Sequence, residues 1–268
     1  MEIHHTHHHD NSQHKEKLWT HYALEFFMLF LAVSLGFFVE NFRETTVESH
    51  REKELAKTLY GELHDDSVVV ANKVKIRLDK EKDLDYLSNY FRDSSLTSLP
   101  REFYPAYTTS TYLINTYAFE PKDGILNQLK SSGSLRYFKS VALQKLLGDL
   151  DVSINNIRTR NDQEYQFFAN PIKPFMLEHY DFRWVNKLRK KDPNGTILDL
   201  INQYRIEKEA IDGDILNLPS VKKDDAANMI LFYKQMLVST RTLQLNNYII
   251  TNHKILEELR HTYNLNNE

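Results

Sequence analysis

The sequence predicts an all-α protein, with one N-terminal transmembrane helix continuing into an elongated antiparallel helical bundle. Three observations carry this expectation. Apolar residues recur at three- and four-residue spacings along most of the chain. Only 7 Gly and 7 Pro occur in 268 residues, too few for the turns of sandwiches, barrels or Gly-rich nucleotide folds. Residues 26–39 carry no charge, although 26% of the chain is charged.

The span comes first. Counting from Tyr22 to Val39 gives eighteen residues, roughly 27 Å of helix and close to the thickness of a bilayer core. Apolar side chains lie all round it, as lipid requires, rather than in one stripe. Trp19 and Tyr22 mark one interface, and Glu40, Asn41 and Arg43 the other. No small-x-small cleavage site follows the apolar run, so an uncleaved single-pass anchor is expected. This divides the chain into a His-rich tail (1–21), a transmembrane helix (22–40) and a helical domain (41–268). At 100° per residue, Glu25, Ala32, Gly36 and Arg43 fall within about 20° of one line, with His21 beside it and i−4 to Glu25. Ala32 and Gly36 make a small-xxx-small pair that lets two helix backbones approach. Glu25 either snorkels to the interface beside His21 or forms hydrogen bonds across a packing seam on this face.

Beyond the span, Leu55, Leu59 and Leu63 recur every four residues, and Val70, Val74, Leu84, Leu87 and Phe91 extend the stripe. No Pro interrupts residues 18–99, so one long helix is expected, with a bend near "GELHDDS". "SSLTSLPREFYPA" (94–106) reads as a loop broken by Pro100 and Pro105. Residues 107–118 read as a short helix. "EPKDGILNQLKSSGS" reads as a helix opened by Pro121 and closed by Gly133. Ser140 opens the next, with Leu143, Leu147, Leu150, Ile154 and Ile157 on one face and a kink or end at "NPIKP". "KKDPNG" (190–195) is a turn. A short helix follows over "TILDLINQYRIEKEAI", and Pro219 breaks the chain again. The last helix, about 224–263, places Met229, Met236, Leu243 and Ile250 at sevens, with Tyr233, Thr240 and Asn247 between them. Two polar residues in that seam favour bundle packing over an extended coiled coil.

"LEFFMLFLAVSLGF", "ENFRE", "LYGELHDD" and "ILNQLKSSGSLR" together resemble an uncharacterised family of Bacteroidetes membrane proteins. Its members have a span with a Glu near its start, an Asn-aromatic-x-Glu-like end and a helical outer domain. The likeness covers most of 20–165. It implies an anchor in the bacterial inner membrane with the N-terminus cytoplasmic and the bulk periplasmic, and it brings no activity. A plain Lys/Arg count points the other way, with Lys15 and Lys17 before the span and Arg43, Arg51, Lys53 and Lys57 after it. That rule weakens where a long domain follows the anchor.

Chemistry is sparsely marked. The chain has no Cys, which excludes disulfides, Cys-based zinc sites and Cys nucleophiles. A net charge of −3 leaves no basic footprint for nucleic acid. His4, His5, His7, His8 and His9 are dense enough to bind Zn²⁺, Ni²⁺ or Cu²⁺, but a solvated tract that captures metal opportunistically is favoured. Glu62, Asp65 and Asp66 share a face near His64, which suggests a metal pair, while a solvated helix face is the preferred reading. Asp212 and Asp214 flank Gly213 without the ligand loop of an EF-hand. His179 and His253 are isolated. No Walker A, GxSxG, HExxH or GxGxxG sequence occurs, so neither an enzyme nor a cofactor is expected. The expected role is an anchored scaffold or binding protein in an oligomeric membrane assembly, whose partners are the lipid bilayer and either a second copy or another membrane protein. The alternatives are an accessory subunit of an ion-driven motor, transport or secretion complex, and a receptor-like sensor that signals through a partner chain.

Overall fold

The long periodic run before Pro100 becomes a single helix, α1, over Ser12–Asp93, which passes Gly61 without a break. The computed structural model describes residues 12–265, with side chains from residue 19 onward. Two compact units are present, Met1–Glu54 and Leu55–Glu268, and their boundary falls within α1. In the first unit α1 holds one window long and apolar enough to cross a membrane, and none of that window is buried.

Among its described residues the second unit is helical apart from turns, irregular connections and one isolated bridge between Tyr180 and Ile215. Its first connection departs from the expected loop. Helix α2 spans Phe103–Tyr107, with Pro105 in its first turn. There the missing N–H has no helical acceptor to lose, so the Pro starts a helix instead of breaking one. A π-helical turn, Thr108–Tyr112, and a 3₁₀ turn, Asn115–Tyr117, stand where one short helix was expected. Thr108 and Thr111 are buried there because their hydroxyls donate to the carbonyls of Tyr104 (2.7 Å) and Tyr107 (2.6 Å).

Helix α3, Gly124–Ser131, begins after Pro121 rather than at it. It ends at Gly133, whose φ of +67° is the left-handed conformation that glycine adopts without penalty. Helix α4, Val141–Phe167, starts as expected at Ser140, whose hydroxyl accepts from the Leu143 N–H at 3.1 Å. Its predicted face, Leu143 to Ile157, is buried. At "NPIKP" the helix widens into a π-turn, Phe168–Ile172, that accommodates Pro171 and leads into α5, Lys173–His179. Helix α6, Phe182–Arg189, has no counterpart in the sequence reading. Asp181 caps it by accepting from the Arg183 N–H at 3.0 Å. Helix α7, Ile197–Ile206, is capped by Thr196 and stops short of the expected Ile211.

The final segment is α8, Lys223–Ser239, then a π-turn, Thr240–Leu245, then α9, Asn246–Tyr263. The π-turn corrects the expected seam of sevens. Buried residues run Ile230, Tyr233, Leu237 and Thr240, then jump to Leu245, Tyr248, Asn252 and Ile255. The wider turn shifts the inward face by about one residue. Leu243 and Ile250 are therefore left outside, 54% and 44% exposed. Leu245→Ala is expected to cost about 2–5 kcal/mol and Leu243→Ala less than about 0.5 kcal/mol. Urea unfolding of the two variants checks this, and equal losses would restore the sevens.

Two apolar cores result. The first gathers Leu59 and Leu63 of α1, Leu143 to Ile157 of α4, and Leu245 to Leu259 of the α9 segment. The second gathers Leu84 to Phe91 of α1, the aromatic 103–117 stretch, Trp184, and Ala226 to Leu237 of α8. The chain leaves α1 in the second core and returns through Phe119, Leu126 and Phe138 to the first, where α4 begins. Hence the long helices α1 and α4 run the same way and the α8–α9 segment runs back, so the bundle is not antiparallel throughout.

Candidate functional site

Between the two cores each long helix carries a polar residue where the apolar stripe predicts a hydrophobic one. On α1 these are Arg77, Lys80 and Glu81, between Val70 in one core and Leu84 in the other. On α4 it is Glu164, and between α8 and α9 it is Thr240. All five are buried. Arg77 and Glu164 form a bidentate pair, with Nη1–Oε1 at 3.1 Å and Nη2–Oε2 at 2.9 Å. The remaining fork nitrogen, Nε, donates to the Tyr117 carbonyl at 2.8 Å. Glu164 also accepts from the Thr240 hydroxyl at 2.5 Å, and Thr240 in turn accepts from Arg160 Nε at 3.1 Å. A buried ion pair is held by further hydrogen bonds to its own members, here from Arg77 Nε to the Tyr117 carbonyl and from the Thr240 hydroxyl to Glu164. Glu81 pairs with Arg241 at 2.7 Å on the flank of the layer. Lys73 donates to the Thr116 carbonyl at 2.6 Å, so α1 holds the 3₁₀ turn by two successive carbonyls.

Lys80 is the exception. Among the described residues its Nζ has one oxygen partner, Tyr233 Oη at 3.2 Å, and lies over the rings of Tyr117 (4.3 Å) and Tyr233 (4.9 Å). Burial pushes its amine down to about 7. Outside this cage runs a groove of about 780 Å³ between α4 and α8, lined by Arg160, Phe167, Pro171, Phe232 and Met236. Phe167 lines the groove and stacks on Tyr233, centroids 5.8 Å apart.

The acidic patch of α1 is corrected by the structure. Asp66 is not on a solvated face: it is buried and accepts from the Lys122 N–H and the Tyr248 hydroxyl, both at 2.8 Å. Glu62 accepts from the Ile125 N–H at 3.3 Å, in the first turn of α3. Asp65 stays outside and pairs with Lys122 at 3.1 Å. The inward carboxylates anchor α3 to α1. Burial raises both carboxyls above their ordinary values, against the hydrogen bonds they accept. The folded state therefore holds protons more tightly than the unfolded chain, and these two groups weaken the fold as pH rises through the folded values. Asp66→Asn keeps the accepting oxygen and loses the charge. It is expected to be at least as stable as wild type at pH 7 in urea unfolding, whereas Asp66→Ala loses about 1.5–3 kcal/mol. An Asn variant as weak as the Ala variant would contradict this.

Other residues singled out by sequence lie apart. His21, Glu25, Ala32, Gly36 and Arg43 are all exposed on α1 in the first unit. His21 tilts against Tyr22 with centroids 6.1 Å apart, and Arg43 pairs with Glu40 at 2.6 Å. A Cβ at Gly36 would meet no other atom within 4 Å. His179 is buried, its Nδ1 3.0 Å from the Leu216 carbonyl oxygen, and His253 sits beside Glu257 on the surface. Asp214 accepts from the Tyr104 hydroxyl through its backbone carbonyl. His4, His5, His7, His8 and His9 lie outside the described residues. Among the described residues no group of three His, Cys, Asp or Glu is placed to hold a metal ion.

The layer has a signal in the sequence. Arg77 and Glu81 stand seven residues after Val70 and Val74, and Glu164 seven after Ile157, so charges occupy the core register. No protein-family model matches the chain, and no curated protein or solved structure is detectably similar to it.

Proposed function

We propose that the chain is a single-pass inner-membrane protein acting as an anchored scaffold or binding protein. Its tail is cytoplasmic and its helical domain periplasmic. The observation that carries this reading is the unburied apolar window of α1, in a chain whose second unit has cores of its own. A window that packs against nothing among the described residues calls for another apolar phase. The likeness of "LEFFMLFLAVSLGF", "ENFRE" and "LYGELHDD" to the Bacteroidetes membrane family supports the orientation. Glu25, Ala32 and Gly36 form the contact face, toward a second copy or another span.

A second reading rests on Glu25, a carboxylate near the start of the apolar stretch. It makes the chain an accessory subunit of an ion-driven motor, transport or secretion complex, with Glu25 at the contact. A sensor that signals through a partner chain draws its support from α1, which carries the window and residues of both cores.

Co-purification from native membranes tests the contact face. Each intramembrane hydrogen bond is worth only about 0.6–2 kcal/mol, so Glu25→Leu alone weakens the assembly, and adding Gly36→Leu blocks close approach. Wild type and the control Ser34→Leu, on the opposite side of the helix, are expected to retain a discrete partner or second copy. The double variant is expected to lose it. A wild-type monomer without a partner, or an unchanged partner in the double variant, would contradict the seam. Recovery of motor or transporter subunits would favour the second reading.

A further inference from the structure

The charged layer holds one buried cation without a carboxylate of its own. A protonated lysine offers three donors, and Lys80 has one oxygen, on Tyr233, and two ring faces. Glu164 is already taken by two Arg77 nitrogens and by Thr240. We propose that this layer is a proton-responsive joint, in which proton uptake by the caged Lys80 amine loosens the packing of α1 on α4 and α8.

The groups that face Lys80 set its balance. On its own helix Arg77 opposes a charge on Lys80 and Asp83 favours one; from α4 Glu164 favours one. The Tyr117 and Tyr233 rings also favour the cation. Burial opposes it and is the largest effect, which brings the amine to about 7 against an ordinary 10.5. As the neutral amine, Lys80 accepts from the Tyr233 hydroxyl, whose own proton is held firmly because burial raises that group. A proton on Lys80 reverses this hydrogen bond and sets a second cation beside Arg77. The joint is placed to act, because α4 and the α8–α9 segment both widen into π-turns near it, at Phe168–Ile172 and Thr240–Leu245. Phe167, stacked on Tyr233, connects the cage to the groove.

The sign follows from linkage. Between about 7 and 10.5 the unfolded chain binds a proton that folded Lys80 does not, so stability rises with pH across that window. Below it both states are protonated and the destabilisation is constant.

The test uses the full-length protein in detergent micelles, labelled with ¹³C at lysine Cε. One lysine resonance is expected to titrate near neutral pH and to be missing from Lys80→Met. Amide exchange at 233–245, corrected for intrinsic rates, is expected to be faster at about pH 6 than at about pH 8.5 in wild type. In Lys80→Met the two should match. A wild-type protein in which no lysine resonance titrates between about pH 6 and 8 overturns the proposal, and this needs no variant to fold. A Lys80 that titrates there while the exchange at 233–245 stays unchanged overturns the joint.

Discussion

Glu164→Ala is expected to lower stability by about 3–5 kcal/mol, because it leaves the buried Arg77 guanidinium without its counter-charge. Arg77 is fully buried, and among the described residues its other partner is the Tyr117 carbonyl. The same change strips the Thr240 hydroxyl of its acceptor on α4. One residue on α4 thus serves both α1 and the α8–α9 segment. Replacing both members of the pair, Arg77→Met with Glu164→Leu, is expected to recover most of the loss, since an apolar pair of similar volume removes the uncompensated charge. Urea unfolding of the two variants distinguishes this from simple loss of packing, in which the double variant would be the worse.

Trp184→Ala is expected to cost about 3–5 kcal/mol, the range for emptying a large aromatic site in a core. Trp184 is fully buried on α6, stacks on Tyr104 with centroids 5.3 Å apart and meets the Tyr204 ring edge-on at 5.4 Å. Its Nε1 donates to the Ile211 carbonyl at 3.2 Å, which ties the chain beyond α7 to α6. Trp184→Phe keeps a ring and loses the donor, so it is expected to cost less than Ala. Thermal unfolding should show Ala far below Phe. Two equal losses would mean that the hydrogen bond, not the packing, matters at this site.

These two residues mark the limits of what the sequence reveals. The stripe of α1 and the buried face of α4 are legible because helical periodicity is local. The Ser140 cap and the Gly133 stop are legible because each depends on a few neighbouring residues. Helix α6 is not, because eight residues hold barely two turns of pattern. The π-turn at 240–245 is invisible to a fixed period, so the assumed period carries Leu243 and Ile250 inward when the structure leaves them outside. Arg77 at a core register is visible as an anomaly, but its meaning depends on Glu164, 87 residues away. Asp66 reads as solvated for the same reason, since its partners are Lys122 and Tyr248. Glu25, Ala32 and Gly36 are exposed on α1, and their role as a packing face is part of the proposal.

Limited proteolysis of intact spheroplasts carrying the full-length protein tests the anchored, outward-facing account most directly. Carbonate-washed membranes from the same cells serve as the fractionation control. The chain is expected to stay with the washed membranes, and protease added outside is expected to remove residues beyond about 41, where the roughly 30 Å hydrocarbon layer ends. A chain released by carbonate, or a domain protected until the spheroplasts are lysed, would contradict it.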